Sequence, residues 1–389
     1  MICFDRDFEC DRLWRHFRQG RNVLMLAPRR IGKTVLLNRL KEESESKGFH
    51  ALVLDVQGYR DEKAFFQQMC AAIQEEIGLG QSVVAAFTSR LKNVVHGAEN
   101  QDWRTILLNT DWKIFADHLL SQLEAGKDCC PWLVLVDEIP IFTKALLEAE
   151  GSAKVHDFLY TLRNLQLKHR KVLWLYTGSI GLDTIARRNG VEGALVDMEV
   201  ESLEPFSKET ARDFLVHLAE KNKLIFSAEA ITTILGRLGW LSPYYLEKIA
   251  ETACDKAIHG QPISSEMANL AVDSLLELTR RTYWSTWREH LDKNFPDPER
   301  THLFMILAEI GLTSEGATPS TLLSVLNKGH PPIGSADLDG YLNTLEADGY
   351  VSANTDRSRF YFRMNLLREW WLRYVAPIPH QETLHGQTS

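Results

Sequence analysis

Short, largely apolar runs divide the first half of the chain. Four of them lie at residues 23–26, 50–56, 132–136 and 172–177. A run of about four to eight apolar residues is typical of a strand that is buried on both faces of a parallel sheet. Between the runs, apolar residues recur every three or four positions, which predicts amphipathic helices. The pattern therefore predicts an α/β fold with a parallel sheet within the first 205 residues.

Helical periodicity alone continues after residue 205, where strand signals stop. Ser227 and Ser242 stand where helix N-caps are expected, and Pro243 suits the first position of a helix. The sequence Pro296-Asp297-Pro298 marks a further boundary. We therefore expect helices at 208–222, 228–238 and 243–259, with one or two more within 264–295.

The last part of the chain has its own order of elements. Three helical segments at 299–311, 318–327 and 336–348 precede two short strand-like stretches around the polar turn 354–358. Three helices followed by a β-hairpin predict a winged helix-turn-helix. The predicted domains are a P-loop ATPase core at 1–205, a helical lid at 206–295, the winged helix at 299–376 and a flexible tail at 377–389.

A phosphate-binding loop follows the first apolar run. Gly32, Lys33 and Thr34 fit the pattern G-x-x-x-x-G-K-[ST], with Ala27 at its first position. A helix N-terminus attracts anions, and glycine lets the backbone come close to a phosphate. Lys33 would reach the β- and γ-phosphates, and Thr34 would place its hydroxyl on Mg²⁺. Ala27 is tolerable if its backbone is extended and strained if its φ is positive.

Two carboxylates end the third apolar run. Asp137 and Glu138 stand at the carboxyl end of a predicted central strand, where open α/β sheets place their ligands. Asp137 would join the Mg²⁺ shell, and Glu138 would be the general base for the attacking water. Ser179 follows the next strand and would hydrogen-bond the γ-phosphate or that water, with Thr177 as the alternate. An ordinary turn serine is the other interpretation of Ser179.

Together the two motifs predict a site for ATP and Mg²⁺. The candidate catalytic residues are Lys33, Glu138 and Ser179, and the candidate metal ligands are Thr34 and Asp137. The loop residues that would contact the nucleotide are Pro28, Arg29, Arg30, Ile31, Gly32, Lys33, Thr34 and Val35. Arg187 and Arg188 either reach a neighbouring subunit's nucleotide as an arginine finger or lie in solvent.

The composition and net charge of the chain limit which classes of binding partner are expected. The chain has 389 residues, 44% of them hydrophobic and 25% charged, which is ordinary for a soluble globular protein of two or three domains. Its net charge of −8 does not indicate a nucleic-acid or membrane-surface binder. The six cysteines lack metal-ligand spacing, the first ten residues carry charges, and no run is long enough to span a membrane. We therefore expect a cytoplasmic protein with reduced thiols and no membrane contact.

The predicted winged helix is acidic. Residues 299–375 contain seven Lys and Arg against nine Asp and Glu, whereas a DNA reader is expected to be basic. The segment 336–348 carries four acidic residues and no lysine or arginine. A protein partner or self-assembly is therefore favoured over DNA, although Arg357, Arg359 and Arg363 could still touch phosphate.

The order of these motifs resembles that of the archaeal-type ATPases, in the STAND class (signal-transduction ATPases with numerous domains) of the AAA+ superfamily. The resemblance rests on five stretches and covers the chain to about residue 375: FDRDFECDRLWRHF, LAPRRIGKTVLL, LVLVDEIP, LYTGSIGL and LGWLSPYYLEKIA. It implies ATP with Mg²⁺, a layout of core, lid and winged helix, and a lid contact with the nucleotide near Pro243.

Three functions follow from this. The first is an ATP-dependent molecular switch in prokaryotic regulation or defence, in which the nucleotide state sets the position of the winged helix and its protein contacts. The second is a DNA-associated loader of the replication-initiator or transposition type. The third is a nucleotide-binding scaffold with negligible hydrolysis, against which Glu138 argues.

Overall fold

The chain divides into two units that exchange a short piece of one loop. The computed structural model describes residues 3–76, 112–125, 130–178, 182, 185–186, 189–257, 261–328 and 332–376. The first unit comprises the residues up to Pro28 and from Gly32 to Glu204, and the second comprises Arg29–Ile31 and the residues from Pro205 onward. The further division of the second unit into lid, winged helix and tail stays a prediction. The assignment of Arg29–Ile31, in the middle of the loop, to the second unit was not foreseen.

A parallel sheet organises the first unit. Its described strands are β1 Asn22–Leu26, β2 His50–Asp55, β3 Trp132–Asp137, β4 Val172–Gly178 and β5 Met198–Ser202. They lie in the order β2-β3-β4-β1-β5, and all of them are parallel. Strands β3 and β4 are buried at every residue, as the continuous apolar runs predict. The predicted α/β fold with a parallel sheet is confirmed.

The strand β5 was missed because it is an edge strand of mixed polarity. In its sequence, MEVES, only Met198 is buried, and half-buried glutamates then alternate with the exposed Val200 and Ser202, so there is no apolar run. Its carboxylates contact side chains near the N-terminus: Glu201 pairs with Arg12 and is hydrogen-bonded to His16, and Glu199 pairs with Arg21. Ion pairs along an exposed edge satisfy polar side chains there, and they leave no periodic signal in the sequence.

Helices flank the sheet and enclose an apolar core. An aromatic cluster at its centre joins three of these helices: the ring centroid of Phe65 lies 5.3 Å from that of Phe142 and 5.0 Å from that of Phe158. The helices of this unit are α1 Asp7–Arg18, α2 Lys33–Ser44, α3 Glu62–Glu76, α4 Trp112–Glu124, α5 Ile139–Glu150 and α6 Ser152–Lys168. The parallel register brings the carboxyl ends of the strands to one edge, with Leu26 beside Gly178 and Asp55 beside Asp137.

The second unit is mainly helical. Its helices are α7 Lys208–Lys221, α8 Ala228–Leu238, α9 Pro243–Asp255, α10 Ser265–Leu275, α11 Thr282–Asn294, α12 Glu299–Leu312, α13 Pro319–Leu326, α14 Ser335–Ala347 and α15 Asn365–Tyr374. Between α14 and α15, strands β6 Val351–Ala353 and β7 Phe360–Phe362 form an antiparallel pair. We call α12 to α15, with this hairpin, the C-terminal module. Its identity as a winged helix stays a prediction.

The two predicted N-cap serines behave differently. The Ser227 hydroxyl accepts a hydrogen bond from the Ala230 amide at 3.1 Å, as a capping residue should. Ser242 occupies the N-cap position of α9 but makes no side-chain cap. Its hydroxyl instead donates to the Arg30 carbonyl at 2.5 Å. The helix start was predictable from the sequence, but the tertiary partner of its serine was not.

Candidate nucleotide-binding site

The loop that joins β1 to α2 reaches the helix through a left-handed glycine. Gly32 is the N-cap of α2 and has a φ of 99°, which favours glycine. No described atom lies within 4 Å of the place where its Cβ would stand, so the backbone faces open space there. Because no side chain caps this helix start among the described residues, its first turn can receive an anion.

Ala27, at the first motif position, continues the sheet. Its amide donates to the Gly178 carbonyl at 3.3 Å, which extends the pairing of β1 with β4 by one bond. Ala27 is not among the described residues with positive φ, so alanine is accommodated without strain. The left-handed position among the described non-glycine residues of the loop is Arg30, at φ 65°.

Lys33 is folded back over the loop. Its side chain is buried, with the residue only 6% exposed. The ammonium donates to the carbonyls of Ala27 at 3.0 Å and Pro28 at 3.1 Å. Both acceptors are main-chain atoms of the loop itself, so the position of the charge depends directly on the path of residues 27–28.

Asp137 is the centre of a hydrogen-bond cluster at the carboxyl edge of the sheet. Its Oδ2 accepts from the Thr34 hydroxyl at 2.6 Å, and its Oδ1 accepts from the Thr177 hydroxyl at 2.6 Å. The Glu138 amide also donates to Oδ1, at 3.0 Å. Three elements thus converge on one buried carboxylate: the end of β3, the start of α2 and the end of β4.

Glu138 stands at a strained backbone position. It has a φ of 58° and is the N-cap of α5, directly after the buried strand β3. A left-handed non-glycine residue costs free energy, and such positions cluster at functional sites. The turn at Glu138 ends the strand that carries Asp137 and begins the next helix. Glu138 itself remains partly exposed.

Gly178 allows the close approach of β4 to the start of α5. A Cβ on Gly178 would lie 2.2 Å from Cδ of Pro140, so no larger residue fits without a shift. Pro140 is the second residue of α5, two residues after Glu138. The packing of this pair therefore fixes the distance between the end of β4, with Thr177, and the turn at Glu138.

Three predicted residues lie outside the described part of the chain. Ser179, Arg187 and Arg188 are among them, so their roles are untested. Thr177, the alternate to Ser179, is described and bonds Asp137 directly. The chemistry of this donor set fits a hard cation, since carboxylate and hydroxyl oxygens are the ligands that Mg²⁺ prefers. The Lys33 ammonium and the uncapped helix start fit a polyphosphate.

The middle of the loop has a different set of neighbours, all in the second unit. The Arg29 guanidinium lies 3.0 Å from Nδ1 of His290 on α11. The Arg30 guanidinium lies 4.0 Å from the ring centroid of Tyr244 on α9 and donates to the Thr286 hydroxyl at 3.3 Å. Pro243, the predicted lid contact, is the buried first residue of α9.

These partners were missed by the sequence analysis. Tyr244 follows Pro243 directly, but an aromatic residue there reads as ordinary helix packing. Thr286 and His290 lie on one face of α11, one turn apart, and carry no motif. Pairing them with loop arginines more than 250 positions earlier requires the tertiary structure.

Comparison with known proteins was informative only at the level of structure. No family model and no curated protein matches the chain. The Walker-type ATPase PabY2304 of Pyrococcus abyssi superposes with a TM-score of 0.65 at 17% identity, covering 94% of this chain and 95% of that one. The ORC2 protein of Aeropyrum pernix, in its ADPNP–ADP complexes, superposes with a TM-score of 0.61 at 15% identity, covering 94% and 92%.

The described residues contain neither a membrane-spanning helix nor a ready-made metal cluster. No helix there combines the length and the apolar character needed to cross a membrane. No group of three or more His, Cys, Asp or Glu side chains there is arranged to hold a metal by itself. The likeness to solved structures and the order of the strands agree: the chain has the α/β fold of the AAA+ P-loop ATPases.

Proposed function

We propose that the chain binds ATP with Mg²⁺ and hydrolyses it slowly, as a molecular switch in prokaryotic regulation or defence. The observation that supports this most is the cluster on Asp137, where hydroxyls from the loop helix and from β4 meet the carboxylate at 2.6 Å each. Two separate sequence motifs predicted two of its members, and the fold is that of proteins described as Walker-type ATPase and as an ADPNP–ADP complex.

The loop supplies binding and orientation. The uncapped start of α2 would receive the phosphates through its backbone amides, and Lys33 would add its charge to the β- and γ-phosphates. Pro28, Ile31 and Val35 would shape the loop around them. The Thr34 hydroxyl and the Asp137 carboxylate would hold Mg²⁺, which when bound neutralises negative charge on the phosphates.

Glu138 and Thr177 would act on the attacking water. Glu138 follows Asp137 and would take a proton from that water as general base. The Thr177 hydroxyl keeps Asp137 oriented, since it bonds the oxygen that Thr34 does not. Ser179 remains a candidate for sensing the γ-phosphate, and a lid contact near Pro243 would complete the site.

A switch needs contacts that differ between nucleotide states. Arg29 and Arg30 provide a physical route, because they belong to the phosphate-binding loop and bond residues of α9 and α11. Loss of the γ-phosphate would change the loop, and the change would be felt by side chains of the second unit. The output would be a protein partner or self-assembly.

The test is ATP turnover with matched binding measurements. We expect Lys33→Ala to lose both binding and turnover, and Glu138→Gln to keep binding while turnover falls by about 100-fold or more. Lys41→Ala and Glu148→Gln, charge-matched changes on α2 and α5, should behave like the wild type. Unchanged turnover in both the Lys33 and Glu138 variants would rule out the site.

A DNA-associated loader remains the alternative. The hairpin arginines do not favour it, because Arg357 donates to Glu346 at 2.6 Å and Arg363 donates to the Ser352 hydroxyl at 3.0 Å. Salt-dependent DNA binding would support the loader, and no affinity for duplex at low salt would end it. Mass measurement in solution with and without ATP would show whether nucleotide drives self-assembly, for which Arg187 or Arg188 in trans is the candidate.

A further inference from the structure

A chain of polar contacts leads from the phosphate-binding loop to the C-terminal module, entirely within the second unit. Arg29 lies 3.0 Å from Nδ1 of His290, and Nε2 of His290 lies 2.9 Å from Oδ2 of Asp348. Asp348 follows α14 as its C-cap residue, just before the hairpin. Arginine only donates, so Nδ1 accepts and Nε2 donates its proton to Asp348. The histidine thus joins a loop arginine to a module carboxylate.

The contacts beside it form a second branch. The Tyr350 hydroxyl donates to the Trp287 carbonyl at 2.5 Å, and the Trp287 indole donates to the Tyr245 hydroxyl at 2.8 Å. The Tyr245 ring lies 6.0 Å from the Arg30 guanidinium. Both branches begin at adjacent loop arginines and end at Asp348 and Tyr350, two residues apart in the module.

Burial makes the first branch sensitive to small shifts. The side chains of His290 and Asp348 are only 9% and 7% exposed. A buried carboxylate that loses its partner is costly, so the pair is expected to stay together when the module moves. Asn294, one turn further along the same helix, also contacts the His290 ring.

The loop carries such a shift towards the phosphates. Arg29 is covalently joined to Pro28, whose carbonyl accepts from the Lys33 ammonium at 3.1 Å. Ile31, on the other side, precedes the left-handed Gly32 at the helix start. A displacement of Arg29 therefore acts on the Lys33 ammonium through the Pro28 carbonyl, and on the start of α2 through Ile31 and Gly32.

We propose that His290 and Asp348 are positioning residues of the nucleotide site, acting through Arg29, so that the placement of the C-terminal module sets the affinity for ATP. This inference rests on the proposed function. The coupling is reciprocal: a nucleotide that changes the conformation of the loop also changes the contact between Arg29 and His290, and through it the position of the module. Neither residue touches the nucleotide or the attacking water in this proposal.

The experiment measures Mg-ATP affinity and turnover in Asp348→Asn, with Asp339→Asn on the exposed side of α14 as its control. Asp348→Asn is expected to raise the dissociation constant and KM by about tenfold, with a smaller change in kcat. Asp339→Asn should match the wild type. His290→Gln, whose amide can both accept and donate, should retain much of the affinity, whereas His290→Leu should lose it.

A double-mutant cycle separates positioning from general stability. If Arg29, His290 and Asp348 act as one relay, Arg29→Ala combined with Asp348→Asn should weaken ATP binding no more than the stronger single change. If the double variant instead loses affinity by the product of the two single losses, the inference is overturned. It is also overturned if Asp348→Asn binds ATP with the affinity of the wild type. Should Asp348→Asn fail to fold, as judged by circular dichroism, the His290→Gln and His290→Leu pair decides in its place.

The outcomes distinguish this inference from the function on which it rests. Absence of ATP binding by the wild type, with Lys33→Ala indistinguishable from it, would overturn the proposed function and this inference together. Binding by the wild type, loss in Lys33→Ala and no effect in the Asp348 and His290 variants would overturn the inference alone.

Discussion

Two regions of the molecule contact the same loop with different chemistry. Around Asp137, three small polar side chains and an amide meet within short, directed hydrogen bonds. Around Arg29 and Arg30, the neighbours are a histidine, the hydroxyl of Thr286 and large aromatic rings, including Tyr244 at 4.0 Å from the Arg30 guanidinium. The short hydrogen bonds of the first arrangement define the positions of single atoms. The second arrangement holds the guanidinium groups by cation–π contact with a ring face as well as by hydrogen bonds.

The difference teaches what each region is suited to do. Metal binding and proton transfer need oxygen atoms placed to within a few tenths of an ångström, which short buried hydrogen bonds can achieve. Stacked and edge-on rings tolerate sliding and keep contact as elements shift. We therefore interpret the Asp137 cluster as the site of chemistry and the arginine–aromatic cluster as the site of coupling.

The largest effect is expected from Asp137→Asn. The amide would present a donor to one of the two threonine hydroxyls and would remove the negative charge that a metal needs, so ATP turnover should fall by about 100-fold or more. Asp55→Asn is the matched control, since Asp55 is the register partner of Asp137 on β2 but bonds only the Gln57 amide among the described contacts. Steady-state turnover at several Mg²⁺ concentrations is the measurement, and equal losses in both variants would remove the special role of Asp137.

A packing change should be next in size. Gly178→Ala would place a methyl group 2.2 Å from Pro140 Cδ, and overpacking of this kind costs about 1–3 kcal/mol. Turnover should fall with it, because Thr177 and Glu138 are both displaced. Gly58→Ala, at a position with no atom within 4 Å among the described residues, is the control. Chemical denaturation measures the first effect, and recovery in Gly178→Ala with Pro140→Ala would identify the clash as its cause.

The loss of one hydroxyl should have a moderate effect. Thr177→Val keeps the shape of the side chain but removes a hydrogen bond to Asp137, which is worth about 1–3 kcal/mol when it involves a charged group. The Mg²⁺ concentration for half-maximal turnover should rise several-fold. Thr143→Val, on a buried threonine that bonds only its own helix, should leave that concentration unchanged. If the Mg²⁺ requirement of Thr177→Val is unchanged, the Thr177 hydroxyl does not orient Asp137.

The smallest effect concerns a polar cluster that belongs to neither region and so gives a baseline. Burial raises the pKa of Asp117, but hydrogen bonds from Lys168 and His169 outweigh it, and the net pKa is lowered from 3.8. A carboxyl group whose pKa is lower in the folded state stabilises the fold at pH values above its pKa in the unfolded state. This stabilisation is lost as the pH falls through the pKa of the folded state. Asp117→Asn should therefore cost about 0.5 kcal/mol at neutral pH and nothing in strong acid.

Unfolding by urea at pH 7 and below pH 3.8 checks this baseline. The exposed Asp339→Asn serves as its control. ATP turnover should not change in Asp117→Asn, since the cluster is formed by α4 and the end of α6 rather than by the loop. A turnover loss as large as that of Thr177→Val would mean that general stability, and not the local geometry of Asp137, controls activity.

Much of the first region was predictable because its signals are local. The apolar runs gave four of the described strands, and the strand ends gave Lys33, Thr34 and Asp137 as neighbours. Edge strand β5 was missed because its glutamates are held by ion pairs to Arg12 and Arg21 and a hydrogen bond to His16, none of which produces a periodic pattern. Thr177 is predicted only as the alternate to Ser179 for a bond to the γ-phosphate or the water, and its bond to Asp137 is not predicted.

Little of the second region could be predicted, because its contacts are remote in sequence. Ser242 was recognised as a helix start, yet its hydroxyl bonds the Arg30 carbonyl 212 positions away. Nothing in the local pattern distinguishes His290 from any other polar residue on a helix. The position of Arg29 and Arg30 in the motif predicts nucleotide contacts, whereas the partners of their guanidinium groups depend on the tertiary fold.

The arginine pair in the loop also has a consequence for proteolysis. Two adjacent arginines in a connecting segment are a natural target for trypsin, but cleavage requires the backbone to leave its bonded conformation. Ile31, on the far side of the scissile bond after Arg30, is completely buried, and the Arg30 carbonyl is engaged by Ser242. The rate at which trypsin cuts there therefore reports directly how often this short stretch of backbone opens.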